Sequence, residues 1–112
     1  MISPTLAHEV SQMEADLCSA FTDPTRILIL YLLDEKPRNV RELSTELQIP
    51  QSSTSRHLKV LRDRGLVTTT RQGTSVQYQL ADQRLIQALD LLRAVLRDRL
   101  AHRASLMEEA DT

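Results

Sequence analysis

The sequence predicts a mainly α fold with a small β-hairpin, in the order α-α-α-α-β-β-α of a winged helix-turn-helix. Three observations predict it. Residues 39–64 have the pattern of two short helices joined by a tight turn. Residues 66–80 have the pattern of a hairpin around a glycine, and residues 83–104 have that of one leucine-rich helix. With two Gly and four Pro in 112 residues, the composition favours helix. We expect one domain, residues 1–112.

Composition excludes several classes of protein. Hydrophobic residues make up 41% of the chain, which is enough for folding. The single cysteine, Cys18, excludes an internal disulfide and a multi-cysteine metal site. Neither a signal peptide nor a membrane-spanning apolar run is visible, so a cytoplasmic protein is expected. We expect no enzyme and no cofactor, because catalytic residue sets and Gly-rich phosphate loops at a usable spacing are missing from the sequence.

Two helices are expected before residue 38. The first, residues 5–20, has apolar side chains at steps of three and four, namely Leu6, Val10, Met13, Leu17 and Phe21. Cys18 lies near its end and is expected to be buried as a small hydrophobe. Asp23 and Pro24 suit the N-cap and first position of a second, central helix, which Lys36-Pro37 should end.

The helix-turn-helix is predicted at residues 39–64. Asn39 and Glu42 stand at the spacing of a capping box, which predicts the start of the third helix. Residues 48–50 form the turn. The fourth helix covers residues 51–64, with Gly65 placed to terminate it.

The fourth helix has an outward face suited to DNA. With Leu58 and Leu61 inward, a rotation of about 100° per residue places Ser52, Arg56 and Lys59 outward. Small hydroxyls allow close approach to a major groove, and the longer donors reach bases and phosphates. An ordinary surface helix is the alternative, although such helices rarely have four Ser/Thr in one turn. The predicted DNA-binding residues of this helix are Gln51, Ser52, Ser53, Ser55, Arg56, His57, Lys59 and Arg62.

The hairpin, or wing, is predicted at residues 66–80. Residues 66–70 are rich in β-branched side chains, and apolar residues alternate with polar ones from residue 76 to residue 80. Arg71, Gln72 and Gly73 at its tip are expected to touch the DNA backbone or minor groove. An arginine that only improves solubility is the alternative.

The last helix is predicted at residues 83–104, with Asp82 as its cap. The tail, residues 107–112, is expected to fray. Leucines at steps of four, three and four form an apolar stripe: Leu85, Leu89, Leu92 and Leu96.

Charge is unevenly distributed along the chain, although the net charge is only −1. Residues 1–37 contain two basic and six acidic residues, whereas residues 38–71 contain seven basic and three acidic residues. A local basic segment attracts phosphates more than global charge does, so the distribution favours nucleic acid. A solvated basic face is the alternative.

Four sequence strings carry a family resemblance. They are DPTRILILYLL at 23–33, ELSTEL at 42–47, SSTSRHLKVLRDRGLV at 52–67 and RQGTSVQYQL at 71–80. Over residues 17–100 the chain resembles the arsenic-repressor (ArsR/SmtB) family of bacterial winged-helix transcription regulators.

The resemblance implies a homodimer that binds a palindromic operator in double-stranded DNA and usually represses transcription. It also implies dimer contacts through the first and last helices, residues 1–21 and 82–104. The two apolar stripes agree with this, and the dimer residues would be Leu6, Val10, Met13, Leu17, Leu85, Leu89, Leu92 and Leu96. A winged helix used only for protein–protein contact is the alternative function.

Two residues depart from the family pattern. Thr54 stands in core phase, where the family usually has an aliphatic residue, so its hydroxyl needs a partner such as a backbone carbonyl. Pro50 stands where a capping side chain is common, which predicts a less well capped fourth helix.

The family's metal sites are not expected in this chain. Asn39, Arg41 and Ser44 stand where one site type has thiolates. The last helix has Asp90 and His102, but Leu92 replaces a histidine ligand, so a tetrahedral zinc site is incomplete. Contact of His8 with His102 across a dimer, or of Cys18 with its copy, stays open, as does the effector.

Overall fold

The computed structural model describes residues 1–111, which fall into two compact units divided after Asp82. The predicted mainly α fold with a β-hairpin, in the order of a winged helix-turn-helix, is confirmed. The elements of the first unit are α1 (Pro4–Asp16), a 3₁₀ turn (Cys18–Thr22), α2 (Pro24–Glu35), α3 (Val40–Leu47), α4 (Gln51–Asp63), β1 (Val67–Gln72) and β2 (Ser75–Leu80). The second unit contains α5 (Arg84–Asp111).

Helix α1 ends at Asp16, earlier than the predicted residue 20. Two side chains bind one carbonyl there: the Ser19 hydroxyl donates to the Ala15 carbonyl at 2.6 Å, and the Arg64 guanidinium donates to the same carbonyl. The chain then tightens into the 3₁₀ turn. Cys18 therefore leaves the helical phase of α1 and is exposed, so the prediction that it is buried was wrong.

Helix α2 begins and ends where the sequence predicts. The Asp23 carboxylate accepts a hydrogen bond from the Thr25 amide at 2.8 Å, and Pro24 occupies the first turn. Ile29, Leu30 and Leu33 are buried. Helix α2 has apolar side chains on nearly all of its faces, yet only the face with these three residues is buried.

The core of the first unit is aliphatic. Leucines and isoleucines from α2, α3, α4 and the segment before β1 are fully buried, which gives the main apolar contribution to stability. These side chains are Ile29, Leu30, Leu43, Leu58, Leu61 and Leu66.

One hydrogen-bonded pair joins α3 to α4 inside this core. Thr54 is 0% exposed, and its hydroxyl accepts a hydrogen bond from the Ser44 hydroxyl at 2.8 Å. The Thr54 hydroxyl donates in turn to the Pro50 carbonyl at 3.3 Å. The predicted need of Thr54 for a backbone carbonyl is thus met, and Ser44 is a second partner.

The hairpin is antiparallel, with a register from Val67 opposite Leu80 to Gln72 opposite Ser75. A third segment extends it by one residue. The Arg38 amide donates to the Tyr78 carbonyl at 3.0 Å, and the Tyr78 amide donates to the Arg38 carbonyl at 2.8 Å. The residues just before α3 are therefore hydrogen-bonded to strand β2 of the wing.

Helix α5 runs to Asp111, beyond the predicted end at residue 104. The prediction of a frayed tail was wrong for residues 107–111, because residues 107–110 are strong helix formers and the segment contains no glycine or proline. Thr112 lies outside the described residues. No helix within residues 1–111 is long and apolar enough to span a membrane.

The Ser44–Thr54 pair provides a test of the core. Thr54→Val should lower the free energy of unfolding by about 1–2 kcal/mol, because the buried Ser44 hydroxyl loses its acceptor. Removing both hydroxyls, in Ser44→Ala with Thr54→Val, should cost less than the sum of the two single changes. Urea unfolding of the four proteins measures this coupling, and strictly additive effects would contradict it.

Stability should also depend on ionised Asp23. The Thr25 amide lowers the pKa of Asp23 below its ordinary value of 3.8, and the nearby His57 and Arg26 act in the same direction. The carboxylate's contribution is complete above the unfolded pKa and is lost as the pH falls below 3.8 through the folded pKa. Asp23→Asn keeps a capping oxygen but not the charge. Its unfolding free energy should therefore fall less steeply with acid, and identical pH profiles would refute this.

Candidate nucleic-acid interface

The helix-turn-helix is built from a capping box and a left-handed turn. The Glu42 amide donates to the Asn39 side chain at 2.8 Å, and the Asn39 amide donates to the Glu42 carboxylate at 3.1 Å. Helix α3 then stops at Gln48, whose φ of 56° is left-handed. The predicted turn at residues 48–50 is confirmed. Pro50 provides no side-chain cap for α4, as predicted.

Helix α4 buries one face and exposes the other. Thr54, Leu58 and Leu61 are buried. The predicted DNA-binding residues on the opposite side are exposed, except that Ser53 is half-buried: Gln51, Ser52, Ser53, Ser55, Arg56, Lys59 and Arg62. The exposed face is thus polar along its whole length, with three basic side chains from Arg56 onward.

Two of these basic side chains already have partners on α4. The Arg56 guanidinium donates to the Ser53 hydroxyl at 3.3 Å, and the Lys59 ammonium donates to Asp63 at 3.1 Å. Such exposed contacts are weak and are readily exchanged for a phosphate or a base. They keep both side chains close to the helix surface before a ligand arrives.

His57 does not belong to this exposed face. It is half-buried, with its Nε2 atom 3.9 Å from an Asp23 carboxylate oxygen and its Nδ1 atom 3.5 Å from an Arg26 nitrogen. The Arg26 guanidinium also donates to the Ala20 carbonyl at 2.8 Å. This side chain packs α4 against the first turn of α2, and the contact of His57 with DNA stays a prediction.

The wing presents its predicted tip to solvent. Arg71, Gln72 and Gly73 are exposed. Strand pairing continues up to Gln72 and Ser75, so the loop contains only Gly73 and Thr74. Gly73 has a φ of 63°, a conformation that its missing side chain permits and that a two-residue hairpin loop requires.

A polar groove of about 520 Å³, here named the wing-side groove, separates the wing from the helix-turn-helix. The N-terminal turns of α3 and α4 form one wall, and the wing forms the other. Sequence patterns singled out Gln51 from this groove but missed Arg41, Thr74 and Ser75, which line it as well. Only the register of the hairpin brings residues 74 and 75 beside α3, and periodicity along one helix cannot reveal that.

Two arginines of the basic segment have structural roles. Arg38 is 7% exposed, and its guanidinium donates to the Leu32 carbonyl at 3.2 Å and pairs with Glu35 and Glu46. Arg64 donates to the end of α1. The charge count of residues 38–71 therefore overstates the basic charge that is free to meet phosphates.

Within residues 1–111, no group of three or more His, Cys, Asp or Glu side chains is placed to hold a metal ion. Of the residues at the family's thiolate positions, Ser44 is buried against Thr54, whereas Arg41 is exposed. His8 and His102 are exposed.

The two predicted dimer stripes differ in exposure. On α1, Leu6, Val10 and Met13 are about half exposed, and Leu17 is partly buried. On α5, Leu89 is buried in the single chain, and its part in a dimer stays a prediction. Leu85 is partly buried, whereas Leu92 and Leu96 are exposed, together with Leu91, Val95 and Leu100.

Comparison with known proteins identifies the family of this chain. The model of the bacterial regulatory protein, arsR family, matches residues 23–69. The chain is 42% identical over 77 residues to the HTH-type transcriptional repressor SmtB of Mycobacterium tuberculosis, which covers 69% of this chain and 57% of SmtB. The chain thus spans little more than half the length of that relative.

Another relative is the HTH-type transcriptional regulator NmtR of Mycobacterium tuberculosis, 35% identical over 88 residues, or 79% of this chain and 73% of NmtR. Among solved structures, the homodimeric winged helix-turn-helix DNA-binding domain of Mb0332 from Mycobacterium bovis superposes with a TM-score of 0.76. The two sequences are 28% identical, and the superposed part covers 90% of this chain and 93% of that domain. The fold, the capped helix-turn-helix with its wing, and these matches establish that the chain belongs to the ArsR family of bacterial regulatory proteins.

Proposed function

We propose that this protein is a homodimeric transcriptional repressor that binds a palindromic operator with α4 in the major groove. The exposed polar face of α4 is the observation that carries the proposal. A helix fits that groove when the face that it presents has small side chains in its first turn and long hydrogen-bond donors further along. Here Ser52 and Ser55 are the small residues, and Arg56 and Arg62 are the long donors.

Each exposed residue has a distinct part in this proposal. Arg56 reaches base edges, because its guanidinium can donate two hydrogen bonds to a guanine. Lys59 and Arg62 contact phosphates, which fix the register of the protein on the duplex. Arg71 and Gln72 of the wing contact the neighbouring backbone or minor groove.

The dimer accounts for exposed leucines that a monomer leaves in water. Leu92 and Leu96 are 63% and 56% exposed. Large apolar side chains clustered in this way on a soluble chain usually mark an interface. The solved Mb0332 domain is a homodimer, and SmtB is named a repressor, which supports both parts of the proposal. A protein that acts on an operator works in the cytoplasm, where we place it.

Operator binding should depend on Arg56 and Lys59. Arg56→Ala should cost about 1–3 kcal/mol of binding free energy, and Lys59→Ala should reduce the salt slope by about one. The measurement is a gel shift at several salt concentrations, with a duplex selected by the protein from a random-sequence pool. Arg64→Ala is the matched control, because it removes the same charge from a side chain held by α1. Unchanged affinity in both variants, or an equal loss in the control, would refute the role of α4.

Dimerisation should depend on Leu92. Leu92→Glu places a carboxylate in the proposed interface, so it should weaken the dimer roughly tenfold or more. Operator affinity should fall with it, because two half-sites about 34–36 Å apart need two copies of α4. Gln87→Glu adds the same charge at another exposed position of α5 and should have little effect. Sedimentation at micromolar concentration measures this, and a wild-type monomer would contradict the proposal.

A further inference from the structure

A second groove, here named the α2–α3 groove, lies between helices α2 and α3. Its volume is about 460 Å³, within the range of pockets that bind small molecules. Leu28, Leu32 and Leu47 form its apolar lining, and Glu35 and Glu46 stand among its polar residues. None of the predicted DNA-binding residues lines this groove.

The apolar lining is accessible to a ligand. Leu28 is 53% exposed, although Ile29 and Leu30 beside it in α2 are completely buried. Leu32 and Leu47 are half-buried. An apolar group placed on these leucines would remove them from water, which is favourable in proportion to the area covered.

The polar lining is negatively charged. Asp34, Glu35 and Glu46 are carboxylates, and no basic side chain lines the groove. The cation beside it is the buried Arg38, which lies 3.5 Å from a Glu46 oxygen and also pairs with Glu35. Glu35 and Glu46 share this one guanidinium, which leaves a negative charge at the rim that complements a cation and repels an acid.

We propose that the α2–α3 groove binds a small organic ammonium ion as an effector. The apolar body of the ligand lies on Leu28 and Leu47, and its ammonium group donates to Glu46. That carboxylate is 56% exposed, and its contact with Arg38 is the longer of the two ion pairs. A second cation can therefore bind it without first unfolding the site.

Arg38 connects this groove to the wing. Its side chain pairs with Glu35 and Glu46, and its backbone exchanges two hydrogen bonds with Tyr78 of β2. An ammonium ion that competes for Glu46 weakens the contact of Arg38 with α3. The wing then loses part of its support, so operator affinity falls. This effect on DNA rests on the proposed function, whereas ligand binding does not.

The first test needs no DNA. Phenethylamine is titrated into the full chain while amide chemical shifts are recorded, with 2-phenylethanol as the uncharged counterpart. We expect shifts at Leu28, Leu32 and Leu47, with weaker binding of the alcohol. Glu46→Gln should weaken amine binding roughly two- to fivefold, the effect of one exposed ion pair. Glu9→Gln, an equal charge change on α1, should leave binding unchanged.

Leu28→Lys is the second variant. It places an ammonium group in the groove at a position exposed enough to accept it, so amine binding should be lost while the fold is kept. The site is overturned if the amine produces no shifts in the groove, or if the alcohol binds equally well. Shifts that depend on protein concentration and not on the amine would assign the groove to a second copy and would also overturn it.

The second test adds a duplex selected by the protein. Operator affinity should fall as the amine saturates the groove, and the fall should be smaller in Glu46→Gln at the same amine concentration. Binding of the amine with unchanged operator affinity would overturn the effector role. A chain that binds no DNA would instead refute the proposed function, and the chemical-shift titration would still report on the groove.

Discussion

The position of α4 depends on the buried hydrogen bond between Ser44 and Thr54. Leucines alone would let α4 slide or rotate against α3, because apolar packing is non-directional. A buried hydroxyl pair at 2.8 Å has one good geometry, and a displacement of α4 would leave a polar atom without its partner. The outward direction of Ser52, Arg56 and Lys59 follows from that geometry.

Arg38 holds the wing in position, as the Ser44–Thr54 hydrogen bond holds α4. A two-stranded hairpin is marginally stable in isolation, so the wing needs support from its neighbours. The backbone bonds between Arg38 and Tyr78 give it a third, one-residue strand, and the buried guanidinium attaches that strand to α2 and α3. A basic residue in the segment proposed to bind DNA thus has a structural role, and the basic surface left for phosphates is correspondingly smaller.

Local sequence patterns were sufficient to predict the structure of segments whose conformation depends on neighbouring residues alone. The caps at Asp23 and Asn39, the turn at residues 48–50 and the partner of Thr54 could be predicted because their determinants lie within a few residues. The role of His57, the burial of Arg38 and the wall formed by Thr74 and Ser75 depend on residues distant in sequence. A helical wheel predicts which side chains share a face of a helix, but it does not predict which other segments pack against that face. These contacts could therefore not be predicted.

The early end of α1 has a practical consequence. It leaves the chain's one thiol, Cys18, exposed in a turn next to Ser19, which receives a hydrogen bond from Arg64 just beyond α4. In the single chain, a maleimide dye or a nitroxide can therefore be attached at one natural position beside the C-terminal end of that helix. Fluorescence or spin-label spectra could then follow this junction in the native sequence, without first removing or introducing a cysteine.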